Sequence, residues 1–197
     1  MKLSMYLAFV TYACATTFAP GPNNVLLLTA AGQYGFKRCL PLMSGIWTGL
    51  VTVMLLAGGF CNGLGKLIPQ IAPVFKFVGA AYILYLAWKT WKRTPAGITD
   101  NTAEKPLTFY NGFLLQFLNV KVIMLGLASY PGYFLPAGGG LPLVVLFAVT
   151  MTLCCGTGNL IWATIGSMLY PVYRRWYKVI NAIMALLLIW CAWRIMK

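Results

Sequence analysis

The chain has 197 residues, of which 60% are hydrophobic and 9% charged, with a mean hydropathy of +0.78 and a net charge of +13. A soluble domain carries about 25% charged residues, so this composition excludes a water-facing surface and leaves room for one membrane domain over residues 1–197. The positive charge does not signal a nucleic-acid partner, because the basic residues stand at the ends of apolar runs, where anionic headgroups and membrane orientation use them.

A spanning helix needs about 20 apolar residues, and six such runs follow one another. Span one, about Met5 to Ala31, is interrupted by Ala19-Pro20-Gly21-Pro22-Asn23-Asn24. Met1-Lys2 looks like the basic start of a signal peptide, but the apolar run continues past Pro20 with no A-x-A site, so the helix is read as retained. Proline lacks an N–H and clashes with the preceding turn, so two prolines around a glycine break the helix. Backbone groups freed inside a membrane must find a partner or line a water-filled cavity. Pro20, Gly21, Pro22, Asn23 and Asn24 are therefore candidate site residues; a simple kink is the competing reading.

Span two runs from about Leu40 to Leu64, with Ser44-Gly45 and Thr48-Gly49 read as helix-packing positions. Span three runs from about Ile71 to Trp91. A polar link from Lys92 to Thr108 follows and holds both acids of the chain, Asp100 and Glu104. Span four, about Tyr110 to Leu135, carries Gln116-Phe117-Leu118-Asn119-Val120-Lys121. Lys121 is the only charged residue well inside any span. Insertion scales put a lysine at a helix centre at roughly 2.5–3.5 kcal/mol, which makes it a functional candidate. It can bind a carboxylate or change protonation during a transport cycle; the competing reading is a structural lysine hydrogen-bonded to the broken backbone of span one. The uncharged link Pro136 to Pro142 leads to span five, about Leu143 to Tyr170. There Gly156-Thr157-Gly158-Asn159 permits close helix approach, and Asn159 supplies a polar group at depth. Span six runs from about Val179 to Ile195.

Nine basic residues lie in the 1–2, 3–4 and 5–6 connections (Lys37, Arg38, Lys89, Lys92, Arg93, Lys105, Arg174, Arg175, Lys178) and five at the ends and in the other loops (Lys2, Lys66, Lys76, Arg194, Lys197). That asymmetry puts both termini outside and the 3–4 link in the cytoplasm. Trp88, Trp91, Trp176, Trp190 and Trp193 near span ends fit an interfacial aromatic belt.

Phe75 to Lys92 aligns without gaps on Tyr177 to Arg194 at an offset of 102, pairing Lys76 with Lys178, Ala80 with Ala182, Leu86 with Leu188, Trp88 with Trp190, Trp91 with Trp193 and Lys92 with Arg194. A repeat of three spans, an odd number, enters the membrane from the opposite side the second time. The expected fold is all-α and integral to the membrane: six transmembrane helices as two inverted three-helix repeats, about 1–95 and 106–197, with spans one and four broken. Two similar halves offer a route to alternating access, which a receptor or enzyme does not need.

The chain has no histidine and no acid inside a span. A Cys–His or Ser–His–Asp site is therefore excluded, as is proton coupling through an intramembrane carboxylate; any coupled proton must ride on Lys121 or on the substrate. Cys14, Cys39, Cys61, Cys154, Cys155 and Cys191 form no C-x-x-C pair or metal-ligand spacing and read as packing residues. No enzymatic activity, cofactor or metal is expected. Two other classes stay open: a membrane redox protein using Cys154-Cys155, although nothing activates their thiolates, and a passive channel, which would lack saturable flux.

On these residues the chain resembles the LysE/RhtB amino-acid exporter superfamily along nearly its whole length. The resemblance is carried by Ala19 to Asn24, by Gly35-Phe36-Lys37-Arg38, by Gly79 to Lys89, and by Phe113 to Lys121. Many members have Asn-Pro-Lys where Asn119-Val120-Lys121 stands here, and many carry an aspartate in span five near Asn159. Both departures look like the cysteine and O-acetylserine exporter branch. The resemblance implies efflux of small neutral amino acids across the bacterial inner membrane, with threonine, homoserine or leucine as alternative substrates. It points to Pro20, Gly21, Pro22, Asn23, Asn24, Asn119 and Lys121 as site residues. The missing span-five acid argues against lysine or arginine as substrate. The implied partners are an amino acid and the lipid bilayer; a homodimer fits the sequence, but no motif selects it. In the expected site, amide and backbone groups of Asn23, Asn24 and Asn119 bind the ammonium and carboxylate, while Lys121 holds the carboxylate or titrates.

Overall fold

The computed structural model describes residues 2–18, 21–63, 68–92 and 108–196; Pro20 and the link bearing Asp100 and Glu104 lie outside them. Among the described residues every element is helical. Span one is two helices, α1 (Leu3–Phe18) and α2 (Pro22–Tyr34), with a 49° bend between them. Span two is α3 (Phe36–Gly63) and span three is α4 (Ile68–Lys92). Span four is broken as well: α5 (Phe109–Leu118) meets α6 (Val120–Ser129) at a 58° bend, and α6 runs on through a π turn at Tyr130–Phe134 and a 3-10 turn at Leu135–Ala137. Span five is α7 (Leu141–Met168), and α8 (Tyr170–Met196) holds span six.

Among the described residues three helices, in α3, α7 and α8, are long and apolar enough to cross a bilayer unaided, and the count rises to at most five with each bent pair taken as one span. The 25 residues of α4 reach about 37 Å at 1.5 Å per residue, more than the ~30 Å hydrocarbon core. The outward faces are as apolar as the inward ones: α7 exposes Val145, Val149, Leu153, Ile161 and Ile165. Hydroxyls on these helices return to their own backbone, as Thr11 does to Leu7 O, Thr48 to Ser44 O and Thr52 to Thr48 O. Such back-bonding satisfies a polar group that lipid cannot. The molecule is an all-α integral membrane protein.

Two connections are shorter than the sequence reading expects. Only Gly35 separates α2 from α3, at φ 82°, a left-handed backbone that glycine adopts without a Cβ clash. Lys37 and Arg38 thus belong to the first turn of α3 instead of a loop. The basic stretch before span six is helical too. Pro171 falls in the first turn of α8, where its missing N–H costs nothing, and the helix kinks at Trp176 (φ −118°, ψ 24°), at the start of the membrane-competent stretch Arg175–Trp193.

The main packing partners are α3 with α5 and α7, α2 with α7, and α4 with α8, joined by α1 on α7, α3 on α6 and α2 on α8. Backbones touch where α3 crosses α5: a Cβ on Gly45 would run into Phe109 O and one on Gly112 into Leu42 O. Two apolar cores result. One gathers Val25, Leu26, Leu42, Ile46, Ile83, Leu115 and Leu188; the other gathers Phe9, Leu50, Met54, Val122, Tyr130, Phe134 and Phe147. Span one passes from core to core at the break between α1 and α2, span four at the break between α5 and α6, α3 between Ile46 and Leu50, and α7 between Met151 and Ala163. All four crossings share one level, and the polar residues sit there.

Candidate functional site

The breaks create the site because a helix end leaves backbone groups without an intrahelical partner. At the end of α1 the freed carbonyls of Thr16 and Thr17 are taken up by side chains from beyond the break. Lys121 Nζ donates to Thr16 O at 3.1 Å, and Asn24 Nδ2 donates to Thr17 O at 2.8 Å. The structural bond weighed against a functional Lys121 is therefore present, and it takes one of the three donors an ammonium carries.

Where span one resumes, Gly21 is extended and Pro22 opens α2 at a position where no N–H is needed. Gly21 matters for its missing side chain: a Cβ there would lie 3.1 Å from both Cδ and Nζ of Lys121. Lys121 thus lies along the bare backbone of the broken span. Span four breaks without a proline. Asn119 is extended (φ −84°, ψ 91°), and its N–H reaches back to Gln116 O at 3.4 Å. Its side chain is drawn across to span one, where Nδ2 donates to Asn23 Oδ1 at 3.0 Å.

Asn23 is the hub of this crossing. Its Nδ2 donates to Gln116 Oε1 at 2.8 Å, and its Oδ1 accepts from Gln116 Nε2 at 3.1 Å as well as from Asn119. Gln116 Nε2 also donates to Gly112 O at 3.0 Å, one turn back on its own helix. Across the site, Asn159 Nδ2 of α7 donates to Asn24 Oδ1 at 2.9 Å. The amides of Asn23 and Asn24 thus join helices while both residues line the cleft. The oxygens left over belong to their neighbours. Asn119 Oδ1 and Asn159 Oδ1 have no hydrogen-bond partner among the described residues, although the residues are 1% and 3% exposed. A buried orphan acceptor of this kind costs about 1–3 kcal/mol unless a ligand or water completes it.

These groups line a single cleft. Its walls include Thr16, Thr17, Gly21, Pro22, Asn23, Asn24, Asn119, Lys121, Cys155 and Asn159, with Leu50, Val122 and Leu125 as its apolar side. The N-termini of α2 and α6 open into it through Pro22 and Lys121, and neither helix has a side-chain cap. Helix N-termini carry partial positive charge, so Lys121 and two helix ends make the cleft anion-seeking on one part and the two amide oxygens make it cation-seeking on another. Every sequence-predicted site residue except Pro20, which lies outside the described residues, comes together here. The sequence reading passed over Gln116, Cys155 and the Thr16 and Thr17 carbonyls. A glutamine three residues before the break in an otherwise apolar span is the signal that marks Gln116; nothing local marks a threonine carbonyl.

Two broken spans meeting over a polar cleft, inside a shell that is apolar on every side, define the class: a multi-pass membrane transporter. A family model described as LysE type translocator matches residues 14–197, and the chain belongs to that family. A cysteine/O-acetylserine efflux protein of Salmonella typhimurium (strain LT2) is 38% identical over 188 residues, 95% of each chain. One of Escherichia coli (strain K12) is 35% identical over 195 residues, 99% of each chain. No solved structure matches.

Proposed function

We propose that this translocator exports small neutral amino acids, cysteine and O-acetylserine foremost, from the cytoplasm across the inner membrane, with no enzymatic step. The observation that carries this reading is the juxtaposition of Lys121 with the unpaired Asn119 Oδ1 and Asn159 Oδ1 in one cleft. An amino acid brings the complementary pair of charges: its carboxylate meets Lys121 and the ends of α2 and α6, and its ammonium meets the two amide oxygens. No acid stands inside any span of the sequence, so a neutral side chain is favoured over a cationic one. The names of the Salmonella and Escherichia relatives point the same way.

The working arrangement is two inverted halves, about 1–95 and 106–197, that alternate access to the cleft. Burial supports this register. At the offset of 102, Ile83 and Ala185, Leu86 and Leu188, and Thr90 and Ala192 are all buried, while Leu84 and Leu186, Trp88 and Trp190, and Trp91 and Trp193 are all exposed. Several packing pairs fit: exchanging halves turns α3–α5 into α7–α1, α2–α7 into α6–α3 and α2–α8 into α6–α4, all of which occur, and maps α3–α7 and α4–α8 onto themselves, while α2–α3 has no counterpart of similar extent between α6 and α7. The test is efflux from proteoliposomes loaded with labelled cysteine, O-acetylserine, threonine, leucine or lysine. Saturable loss of cysteine or O-acetylserine, abolished by Lys121→Ala in a well-folded variant, is expected. Normal export by Lys121→Ala removes the carboxylate role, and selective loss of another amino acid moves the substrate.

A further inference from the structure

We infer that Gln116 is a positioning residue for substrate selection: through Asn23 it holds Asn119 so that the free Asn119 Oδ1 faces the substrate ammonium. The inference rests on the amino-acid reading of the cleft. Gln116 itself does not line the cleft. It is fully buried, at 0% exposure, and its amide makes three hydrogen bonds: two to Asn23 in a reciprocal pair and one to Gly112 O. Its stem sits against α3, where a Cβ on Gly49 would come within 2.7 Å of Gln116 Cγ. Gln116 is thus pinned by two helices of its surroundings before it touches Asn23.

The consequence runs through amide geometry. An amide presents its oxygen and its NH2 on opposite edges, and the two are fixed together by one torsion. Gln116 satisfies both edges of Asn23, so Asn23 has a single orientation with its oxygen toward Asn119. Asn119 must then offer its NH2 to Asn23, which leaves its own oxygen, on a residue of the cleft wall, without a partner among the described residues. Without Gln116, Asn23 can rotate by half a turn, and Asn119 can rotate with it to point NH2 at the cleft, where it repels an ammonium. Gln116 therefore sets the sign of the group that the substrate meets, from one residue beyond the cleft wall.

The experiment compares L-cysteine with 3-mercaptopropionate, which lacks only the ammonium, as inhibitors of labelled O-acetylserine flux in proteoliposomes. Wild type should favour cysteine by about tenfold or more, the size of one charge-assisted hydrogen bond. Asn119→Ala should lose most of that preference. Gln116→Ala should lose it equally, and the double variant should be no worse than either single one. Gln116→Met, close in size but with neither hydrogen bond to Asn23, guards against a cavity-driven folding defect in the alanine variant and should lose the preference as fully. A Gln116→Ala protein that keeps the preference while Asn119→Ala loses it overturns the inference. So does one in which both inhibitors weaken in equal proportion, which is the mark of a purely structural residue. Retention of the preference in Asn119→Ala removes the ammonium site itself, and the role of Gln116 falls with it; absence of O-acetylserine flux in wild type strikes the substrate reading first.

Discussion

Lys121 illustrates how one residue serves fold and site together. Its ammonium closes the end of α1 through Thr16 O while its stem crosses the bare Gly21 backbone into the cleft. The two roles share a geometry, so they can be separated by moving the lysine slightly instead of removing it. Gly21→Ala does this: the new Cβ, 3.1 Å from Lys121 Nζ, leaves the extended backbone unstrained and displaces the ammonium by a few tenths of an ångström. Export should fall about two- to tenfold, since sub-ångström misplacement is costly at a reacting or binding group, while thermal unfolding in detergent stays near wild type. Wild-type export by Gly21→Ala would mean that the position of Lys121 does not matter. At this scale the polar residues that line the cleft are legible in the sequence, because a charge or an amide inside an apolar run is conspicuous. It did not reveal which amide atoms stay free, because that depends on partners 93 to 135 residues away.

At the scale of the element, the two broken spans reach the same shape by different means. Span one is broken by its own chemistry, a glycine between prolines. Span four has a valine at the first helical position of α6, and valine alone does not end a helix. The break is held by the side chain of Asn119 bonding to Asn23, and by the N–H of Asn119 reaching Gln116 O instead of continuing the regular ladder. Proline at the first helical position has no N–H to lose and has its φ already set, and Asn119 before it is extended, as a residue preceding proline prefers to be. Val120→Pro should therefore fold and export normally, with stability unchanged or raised by up to about 1 kcal/mol, read from thermal unfolding of the purified protein. Loss of folding would show that Val120 N–H has a structural partner and that α6 does not begin there. The basic stretch before span six shows the opposite limit: its polarity reads as a loop, yet the helix runs from Tyr170 to the kink at Trp176, because Pro171 stands in the first turn, where no N–H is needed.

For the whole molecule, the arrangement of cores explains where a polar cleft can survive in a membrane. The two apolar cores meet at a single level, and four chain segments change core there. The cleft therefore lies between two packed apolar layers, one of them built around the aromatic group of Phe9, Tyr130, Phe134 and Phe147, with ring centroids 4.8–5.7 Å apart where Phe9 meets Phe134 and Phe147. Alternating access in the proposed inverted halves would loosen one layer at a time. The distribution of Lys and Arg sets the expected orientation, with residues 93–107 in the cytoplasm and both termini outside. Single cysteines placed at the termini and in that link of a cysteine-free variant should be labelled by a membrane-impermeant maleimide from opposite sides. Labelling of the link from outside would reverse the direction in which the cleft is read.

Composition, the apolar runs and the break in span one were determined by the sequence itself, because membrane insertion is governed by local apolar length and helix breaking by prolines, which act on their own neighbours. So was the membership of the polar set, from Gly21 to Asn159. Only the tertiary structure decided the rest: that Asn23 and Asn24 tie helices while Asn119 and Asn159 keep an open oxygen, that Gln116 stands behind them, and that span four stays broken without a proline. Each of these rests on hydrogen bonds between distant segments, and in a low-dielectric interior those bonds, more than local propensity, fix which way an amide points.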